Sequence, residues 1–557
     1  MNTSTSHAKA DHSVVDIVSE LQEPIDTYLA SAAQTVRAHI MPDGFQDSQR
    51  LQRAQRVLHG FAWMATTAQA ICSTADWLMR RRSLGDIGEL DILAARIGIG
   101  EYFHQLVGGI PMSQNEIFRP FELGLEKECQ SLCANPSIAW LLAQGSTPES
   151  RSRLLELLNE GQEVNEVLED PDLNLFRDQI RRFARDRIAP RAHAWHLADT
   201  LIPQELIDEM SQLGVFGITI ESEFGGMGLG KLAMCVVTEE LSREWIAAGS
   251  LGTRSEIAAE LITLSGTDAQ KKQWLPQIAS GQILPTAVFT EPNTGSDLGA
   301  LTTRATLSED GSWKVTGNKT WITHGSRSDL MTLLARTSQD DNGYGGLSMF
   351  LAAKPRGTSD DVFPAPGMAG GEIEVLGYRG MKEYEISFDG FSVPASGLLG
   401  AVEGKGFKQL MKTFESARVQ TAARAVGVAW KAFDLGRRYA NDRAQFAQPI
   451  VAFPRVGDKL ALMLAETVMA RELTYYAASR KDDGERCDVE AGMAKLLAAR
   501  VAWSNADCSL QIHGGNGYSM EFEISRILCD ARILNIFEGA AEIQAQIVGR
   551  GLLARYS

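Results

Sequence analysis

The stretch Leu284–Asp297, "LPTAVFTEPNTGSD", marks a change of period in the chain. Before it, apolar residues recur three and four apart, the spacing of an amphipathic helix. After it they alternate or fall in short runs punctuated by turn residues. The second pattern continues through "WKVTGNKTWITHG", "LMTLLAR", "LSMFLAAK" and "EISFDGFSVP", and predicts an antiparallel β domain over residues 284–399. From Gly400 long helices return. Ala-rich small faces in "TAARAVGVAWKAF" and "VEAGMAKLLAARVAWSNADCSL" suit close packing in a C-terminal four-helix bundle over residues 400–557.

Upstream, residues 167–283 read as a helical block, with "LFRDQIRRFARDRIAPRAHAWH" and "KLAMCVVTEELSREW" separated by the Gly-rich turn "FGGMGLG". Residues 1–166 read as a helical extension, closed by the polar linker "NEGQEVNEVLEDPD". The expected class is therefore α+β: helical, β, helical, behind a helical extension. Within the extension "QLVGG", Gln105–Gly109, echoes "QIHGG", Gln511–Gly515, and each follows an Ala-Ala-Arg-bearing helix. The extension is then either a degenerate copy of the C-terminal helical domain or an unrelated helix that also ends in Gly.

At 557 residues the chain has ample length for several cores. A net charge of −16 argues against a nucleic-acid or anionic-membrane surface, so any polyanionic ligand needs a local pocket of Arg and backbone N–H groups. The 7 cysteines are odd in number and fall mostly in helical runs, as reduced intracellular thiols do. Cys129 and Cys133 are close but have no matching His or Cys pair. His193 and His196 share a helix face that reads as a solvated basic surface, so no metal is expected. No apolar run reaches the length of a membrane span, and "MNTSTSHAKADHS" lacks the regions of a signal peptide. The expectation is a cytoplasmic protein with its first dozen residues disordered.

Three motifs carry chemistry. "TEPNTGSD", Thr290–Asp297, presents hydroxyls and N–H groups at one point after a strand, which suits a flat heteroaromatic ring or a phosphate-rich tail; by itself it is equally an ordinary capped turn. In "WITHG", strand periodicity turns Trp321 and Thr323 to one face and Ile322 to the core, and alone these are a plain β pair. In "NIFEGAAEIQ", Asn535–Gln544, a lone acid, Glu538, precedes the last helix; read alone, it offsets the helix dipole.

Taken in order with "NDRAQF" and "QIHGGNGY", these motifs resemble the acyl-CoA dehydrogenase family of flavoproteins, from about Leu173 to the C-terminus. The resemblance implies FAD bound between the β domain and the C-terminal helices of two subunits, with Glu538 as catalytic base. Desaturating a thioester between its α and β carbons needs a base opposite the flavin, and a carboxylate enclosed by Ile536, Phe537 and substrate is a poorly solvated, strong one. The thioester oxygen gains negative charge, and in the family it is met by the backbone N–H of the base and a flavin ribityl hydroxyl. Some members carry the base just before the Arg of a mid-chain helix. Here, in "FESARV", that place is Ala417, which leaves Glu415 as a weaker competitor.

By the same resemblance, Ala287, Phe289, Thr290, Gly295, Ser296, Trp321, Ile322 and Thr323 line the flavin. Arg443, Gln445 and Phe446, with Gln511, Gly514 and Gly515, reach the FAD diphosphate and adenosine from a neighbouring subunit. Without the other motifs, Arg443 reads as a salt-bridge partner of Asp442. Ala540 and Glu542 stand where Thr and Gln commonly touch FAD, and Glu383 stands where Ser or Thr is usual. Ser296, Arg418 and Arg550 match CoA-side positions, and Gly539 lies beside the thioester.

The extension, "GMKEYEISFDGF" and "TWITHGSRSDLMTLLART" are most like the branch of the family that oxidises (2S)-methylsuccinyl-CoA to mesaconyl-CoA. A short dicarboxylic thioester needs a cation or several donors at the closed end of the acyl pocket. Arg254, in "SLGTRSEIAAELITLSG", is the candidate, against a surface salt bridge to Glu256 or Glu260. The expected partners are acyl-CoA, electron-transferring flavoprotein and a second copy of the chain. Another short- or branched-chain dehydrogenase, an acyl-CoA oxidase and a non-catalytic flavoprotein of the same fold are the alternatives.

Overall fold

A computed structural model describes residues 14–41, 48–338 and 340–556. The expectation for the first dozen residues lies outside these. The chain divides into two compact units, one joining the chain up to Asn174 with the chain from Thr421, the other Leu175–Gln420. Among the described residues no helix is long and apolar enough to cross a membrane.

The Leu175–Gln420 unit is built on a sheet of seven strands. In spatial order these are Pro285–Val288, Leu330–Arg336, Arg304–Leu307, Trp313–Lys319, Glu383–Val393 and Met368–Ile373, with Leu347–Ala353 also bonded to Leu330–Arg336. The strand "LMTLLAR" reads as one apolar run because both its faces are covered. Met331, Leu333 and Ala335 join one core with Val315, Ile322, Phe350 and Phe388. Leu330 and Leu334 join a second core with Leu261, Ile262, Leu275 and Ile278 of the helices Ile246–Ser265 and Asp268–Ala279.

Two expectations need correction here. The sheet is not wholly antiparallel: Pro285–Val288 runs parallel to residues 330–333, and Arg304 pairs parallel with Arg336. The chain leaves the first strand, makes an excursion through two others, and re-enters in the same direction, a crossover that alternation cannot reveal. The strand "WKVTGNK" also ends at Lys319, short of "WITHG". Trp321 and His324 have φ of 58° and 62°, a left-handed backbone that breaks the extended chain, so period two does not govern this segment. Ile322 enters the core as expected, while Trp321 stays 56% exposed.

The other unit is helical apart from two small ladders, Ile110–Pro111 with Ile117–Phe118 and Ala444–Gln445 with Gln448–Pro449. The extension helices Gln55–Leu84 and Glu89–Gly108 share its core with Pro454–Asp482, Asp488–His513 and Ala541–Arg555. The polar linker is pinned: Asn165 N–H donates to Asp91 at 2.7 Å, and Asp170 caps the helix that begins at Pro171. "QLVGG" and "QIHGG" each end a helix at a Gly of positive φ, but a strand follows the first and a 3-10 turn the second.

All seven cysteines are free thiols. His196 is buried on the helix Ala189–Leu197, which corrects the reading of a solvated basic face; its neighbour Trp195 stacks 5.3 Å from Trp245, and that packing draws the face inward. No group of three or more His, Cys, Asp or Glu able to hold a metal occurs among the described residues.

Candidate active site

The residues singled out by the sequence fall in both units. In the Leu175–Gln420 unit, the turn after Pro285–Val288 is fixed from beneath by a buried ion pair. Glu291 accepts from Thr302 N and Oγ1 and from Thr303 N, each at 2.8 Å, and from Lys319 Nζ at 3.1 Å. Lys319 Nζ also donates to Phe289 O at 2.8 Å. Burial alone would raise the Glu291 carboxyl, but the Lys319 ammonium and the donors of Thr303 and Thr302 outweigh it and hold it at about 2. Burial pulls Lys319 down to about 8 against the pull of Glu291. The carboxylate therefore contributes stability that is complete above its ordinary value of 4.5 and is lost as pH falls towards 2. Charged Lys319 costs stability below about pH 8, a cost relieved between 8 and 10.5.

This arrangement leaves Pro292, Asn293, Gly295 and Ser296 exposed above the pair. The N–H groups of Gly295 and Ser296 donate to no backbone acceptor among the described residues, so they suit the acceptor edge of a ring or a phosphate. Lys319→Met is expected to destabilise the protein by about 3–5 kcal/mol, because Glu291 is left buried without its counter-charge. Thermal unfolding checks this, with Glu291→Gln in the Lys319→Met background recovering part of the loss.

Ala287, Phe289 and Thr290 are half-buried beside this turn. Thr323 is buried, and its hydroxyl is already engaged: it donates to Glu383 Oε1 at 2.8 Å and accepts from Arg254 Nη2 at 3.4 Å. Glu383, which departs from the usual Ser or Thr, thus joins Arg254 and Thr323 in one polar cluster. The acids named as alternative partners of Arg254 are held by Lys231, which touches Glu256 and lies 3.5 Å from Glu260. Glu256 also accepts from Gln420. His324, within the same motif, is fully buried, and burial holds its imidazole neutral at about 3. Arg418 is buried with its guanidinium 5.6 Å from the Phe414 ring centre, Ala417 is buried, and Glu415 is half-buried.

In the other unit, Glu538 sits in a left-handed backbone conformation, φ 52°, followed by Gly539 at φ 91°. At φ 91° Gly539 has a backbone that residues with a Cβ rarely adopt, so the Phe-Glu-Gly turn favours glycine there. Gln544 Nε2 donates to Glu538 O at 3.1 Å, and Lys495 Nζ donates to Gly539 O at 2.7 Å. The Glu538 carboxylate accepts from Arg424 Nη2 at 2.5 Å and from the Thr421 hydroxyl.

Sequence reasoning missed both Thr421 and Arg424. A lone Arg inside the Ala-rich face "TAARAVGVAW" was the available signal, since a cation on a buried small-residue face must find an anion. Ala540 is half-buried at the start of the last helix, while Glu542 and Arg550 are exposed on it.

Arg443, Gln445 and Phe446 form an exposed hairpin whose turn residues Phe446 and Ala447 have φ of 52° and 63°. Phe446 is 89% exposed, and no ion pair joins Arg443 to Asp442 among the described residues. Gln511, Gly514 and Gly515 are exposed as well, at the end of the helix Asp488–His513, and a Cβ on either glycine would meet nothing within 4 Å. Both segments can therefore receive a ligand or another chain without rearrangement.

Three family models match the chain in order: "Acyl-CoA dehydrogenase, N-terminal domain" over residues 170–282, "middle domain" over 286–391 and "C-terminal domain" over 404–553. The chain is 55% identical over 545 residues to a (2S)-methylsuccinyl-CoA dehydrogenase of Cereibacter sphaeroides, covering 97% of this chain and 98% of the relative. It is similar in structure to butyryl-CoA dehydrogenase of Megasphaera elsdenii, with a TM-score of 0.65 and 31% identity over 70% of this chain and 100% of the other. A chain from a structure of the electron transferring flavoprotein of Acidaminococcus fermentans, described as bearing on flavin-based electron bifurcation, matches with a TM-score of 0.65 and 31% identity over 70% and 99%.

Proposed function

The chain belongs to the acyl-CoA dehydrogenase family of FAD-dependent flavoproteins, and from that premise we propose that it oxidises (2S)-methylsuccinyl-CoA to mesaconyl-CoA. The observation that carries the substrate reading is that similarity to the Cereibacter sphaeroides enzyme spans 97% of the chain, extension included. The butyryl-CoA dehydrogenase match covers 70%. Electron-transferring flavoprotein is the proposed acceptor, the cytoplasm the proposed compartment, and a homodimer the proposed particle.

FAD, when bound, supplies the acceptor for the β-hydrogen as hydride. The exposed turn Pro292–Ser296, Trp321 and Thr323 would hold its ring, and the hairpin Arg443–Phe446 with Gln511–Gly515 would hold its diphosphate and adenosine. Glu538 takes the proton from C2 of the thioester, and its own backbone N–H is placed to meet the charge that gathers on the thioester oxygen. Ser296, Arg418 and Arg550 serve the CoA moiety.

A carboxylate at C4 needs a cation, because burying it unpaired costs several kcal/mol. Arg254, held by Thr323 beside Glu383, is the candidate. The α-methyl branch calls for a short, tight pocket rather than a tunnel.

The expected result is a strong preference for methylsuccinyl-CoA over butyryl-CoA in anaerobic titrations of the flavin spectrum, and loss of that preference in Arg254→Leu. Comparable turnover of butyryl-CoA, isovaleryl-CoA or longer chains refutes the substrate. An unaffected Arg254→Leu variant refutes only the residue. Peroxide formed in air at the rate of turnover would favour an oxidase.

A further inference from the structure

The assignment of Glu538 as base leaves its closest neighbours without a role. Arg424 lies in the middle of the helix Phe414–Asp442, and its side chain is wholly buried. A buried guanidinium is costly unless it meets an anion with good geometry. Arg424 meets one: its Nη2 is 2.5 Å from Glu538 Oε2 and 2.8 Å from Thr421 Oγ1, and its Cζ lies 4.9 Å from the centre of the Phe537 ring. Thr421 and Arg424, three residues apart, share one helix face, and both reach the same carboxylate oxygen.

Neighbouring charged groups have contacts of their own. Lys495, from the helix Asp488–His513, donates to Gly539 O at 2.7 Å. Glu542 on the last helix is exposed.

We propose that Arg424 and Thr421 are positioning residues for the base: they fix the direction of the Glu538 carboxylate and keep it ionised before substrate is deprotonated. This rests on Glu538 being the base, and it goes further by naming what sets that base's charge and aim.

The physical case has two parts. A left-handed non-glycine backbone is strained and persists only when its surroundings over-determine it. Here Gln544 and Lys495 hold the main chain, while Arg424 and Thr421 hold the side chain, so the carboxylate has one available direction. The second part concerns charge. A cation that favours the carboxylate would ordinarily oppose its protonation. When Glu538 takes the α-proton, however, negative charge develops on the thioester until the β-hydrogen leaves as hydride, so in the transition state the guanidinium faces a carboxyl losing its charge beside a thioester gaining it. Arg424 therefore maintains an ionised base at rest, and the loss on protonation is offset by attraction to the new charge.

The test compares wild type with Arg424→Gln, Arg424→Lys and Thr421→Val, each with FAD content and thermal unfolding measured. The first readout is the pH dependence of flavin reduction by saturating methylsuccinyl-CoA in the absence of oxygen. In Arg424→Gln the acid limb is expected to move up by about one pH unit or more, since a neighbouring Arg is worth roughly one to three units to a carboxylate. Arg424→Lys should restore most of the shift, and Thr421→Val should move the limb in the same direction by less.

The second readout does not need turnover: infrared difference spectra against Glu538→Gln follow carboxylate protonation along a pH titration and should show the same displacement. An acid limb and a carboxylate titration left in place in Arg424→Gln that keeps its FAD would overturn the proposal. Should that variant fail to fold, an unmoved limb in both Arg424→Lys and Thr421→Val, with reduction at the wild-type rate, overturns it too. Failure of the base assignment is separately visible, because Glu538→Gln would then reduce its flavin normally.

Discussion

Glu538→Gln is expected to bind FAD and acyl-CoA yet lose flavin reduction by about 10³-fold or more, near the upper part of what a positioned general base contributes. The amide is nearly isosteric with the carboxylate, and its oxygen can still accept from Arg424 and Thr421, so the buried guanidinium keeps a polar partner and the fold is retained. What the amide cannot do is accept the α-proton. Stopped-flow mixing with methylsuccinyl-CoA under anaerobic conditions measures the effect, with bound FAD quantified in the same sample. Near wild-type reduction would sink the assignment and direct attention to Glu415, which is half-buried at the start of the helix Phe414–Asp442.

That such an experiment can be designed from a sequence shows where the information lies. The change of period at Leu284 locates the sheet because a half-covered strand and an amphipathic helix expose different residues to the core. "LMTLLAR" and "LSMFLAAK" are strands because apolar runs of that length, bounded by turn residues, cannot bury themselves otherwise. The direction in which strands pair is a different matter. The parallel contact between Pro285–Val288 and residues 330–333 depends on a path through space that leaves no mark on either strand.

"WITHG" failed for a local reason. The left-handed conformations of Trp321 and His324 interrupt a pattern whose residue types fit a strand perfectly well, and such violations concentrate at functional sites. The geometry of the motif was therefore misread, while its residue types were not. Arg424 was invisible for the opposite reason: the helix around it fits every local rule, and only the position of Glu538, more than a hundred residues away, gives the guanidinium a purpose. The polar cluster of Arg254, Thr323 and Glu383 is similar, assembled from three segments that share no sequence pattern.

The other large effect concerns the extension. We propose that it takes the place of a further subunit, so that a dimer imitates a tetramer, and how it meets the C-terminal helices supports this. Arg500 Nη2 lies 3.1 Å from Tyr102 Oη and 3.4 Å from Glu466, and its guanidinium is 5.2 Å from the centre of the Trp63 ring. Arg471 faces Trp77 at 5.4 Å. Side chains also pack directly onto bare glycine backbone: a Cβ on Gly98 would fall 2.5 Å from Met469 Sδ, and one on Gly549 would fall 2.7 Å from the Leu58 side chain. These are contacts of a packed interface between parts of one chain, not of a tethered appendage.

Removing residues 1–166 would strip Tyr102, Trp63 and Trp77 from that face and leave Arg500, Arg471 and Met469 bare. With Met469 and Gly549 also uncovered, the bared face mixes apolar surface with two guanidinium groups that have lost their aromatic partners, and such a face tends to find a new cover. The truncated chain is therefore expected either to pair through the bared face into a tetramer or to lose nearly all soluble material, while the full chain sediments as a dimer. Gly98→Leu, which disturbs the contact without exposing it, should lower the unfolding temperature and leave the dimer intact. A full-length tetramer, or a truncated chain that remains a soluble, active dimer, would show that the extension does not stand in for a subunit. In the second case the Gly98 and Gly549 contacts would have to be called dispensable, which the direct packing of Met469 and Leu58 onto those glycines argues against.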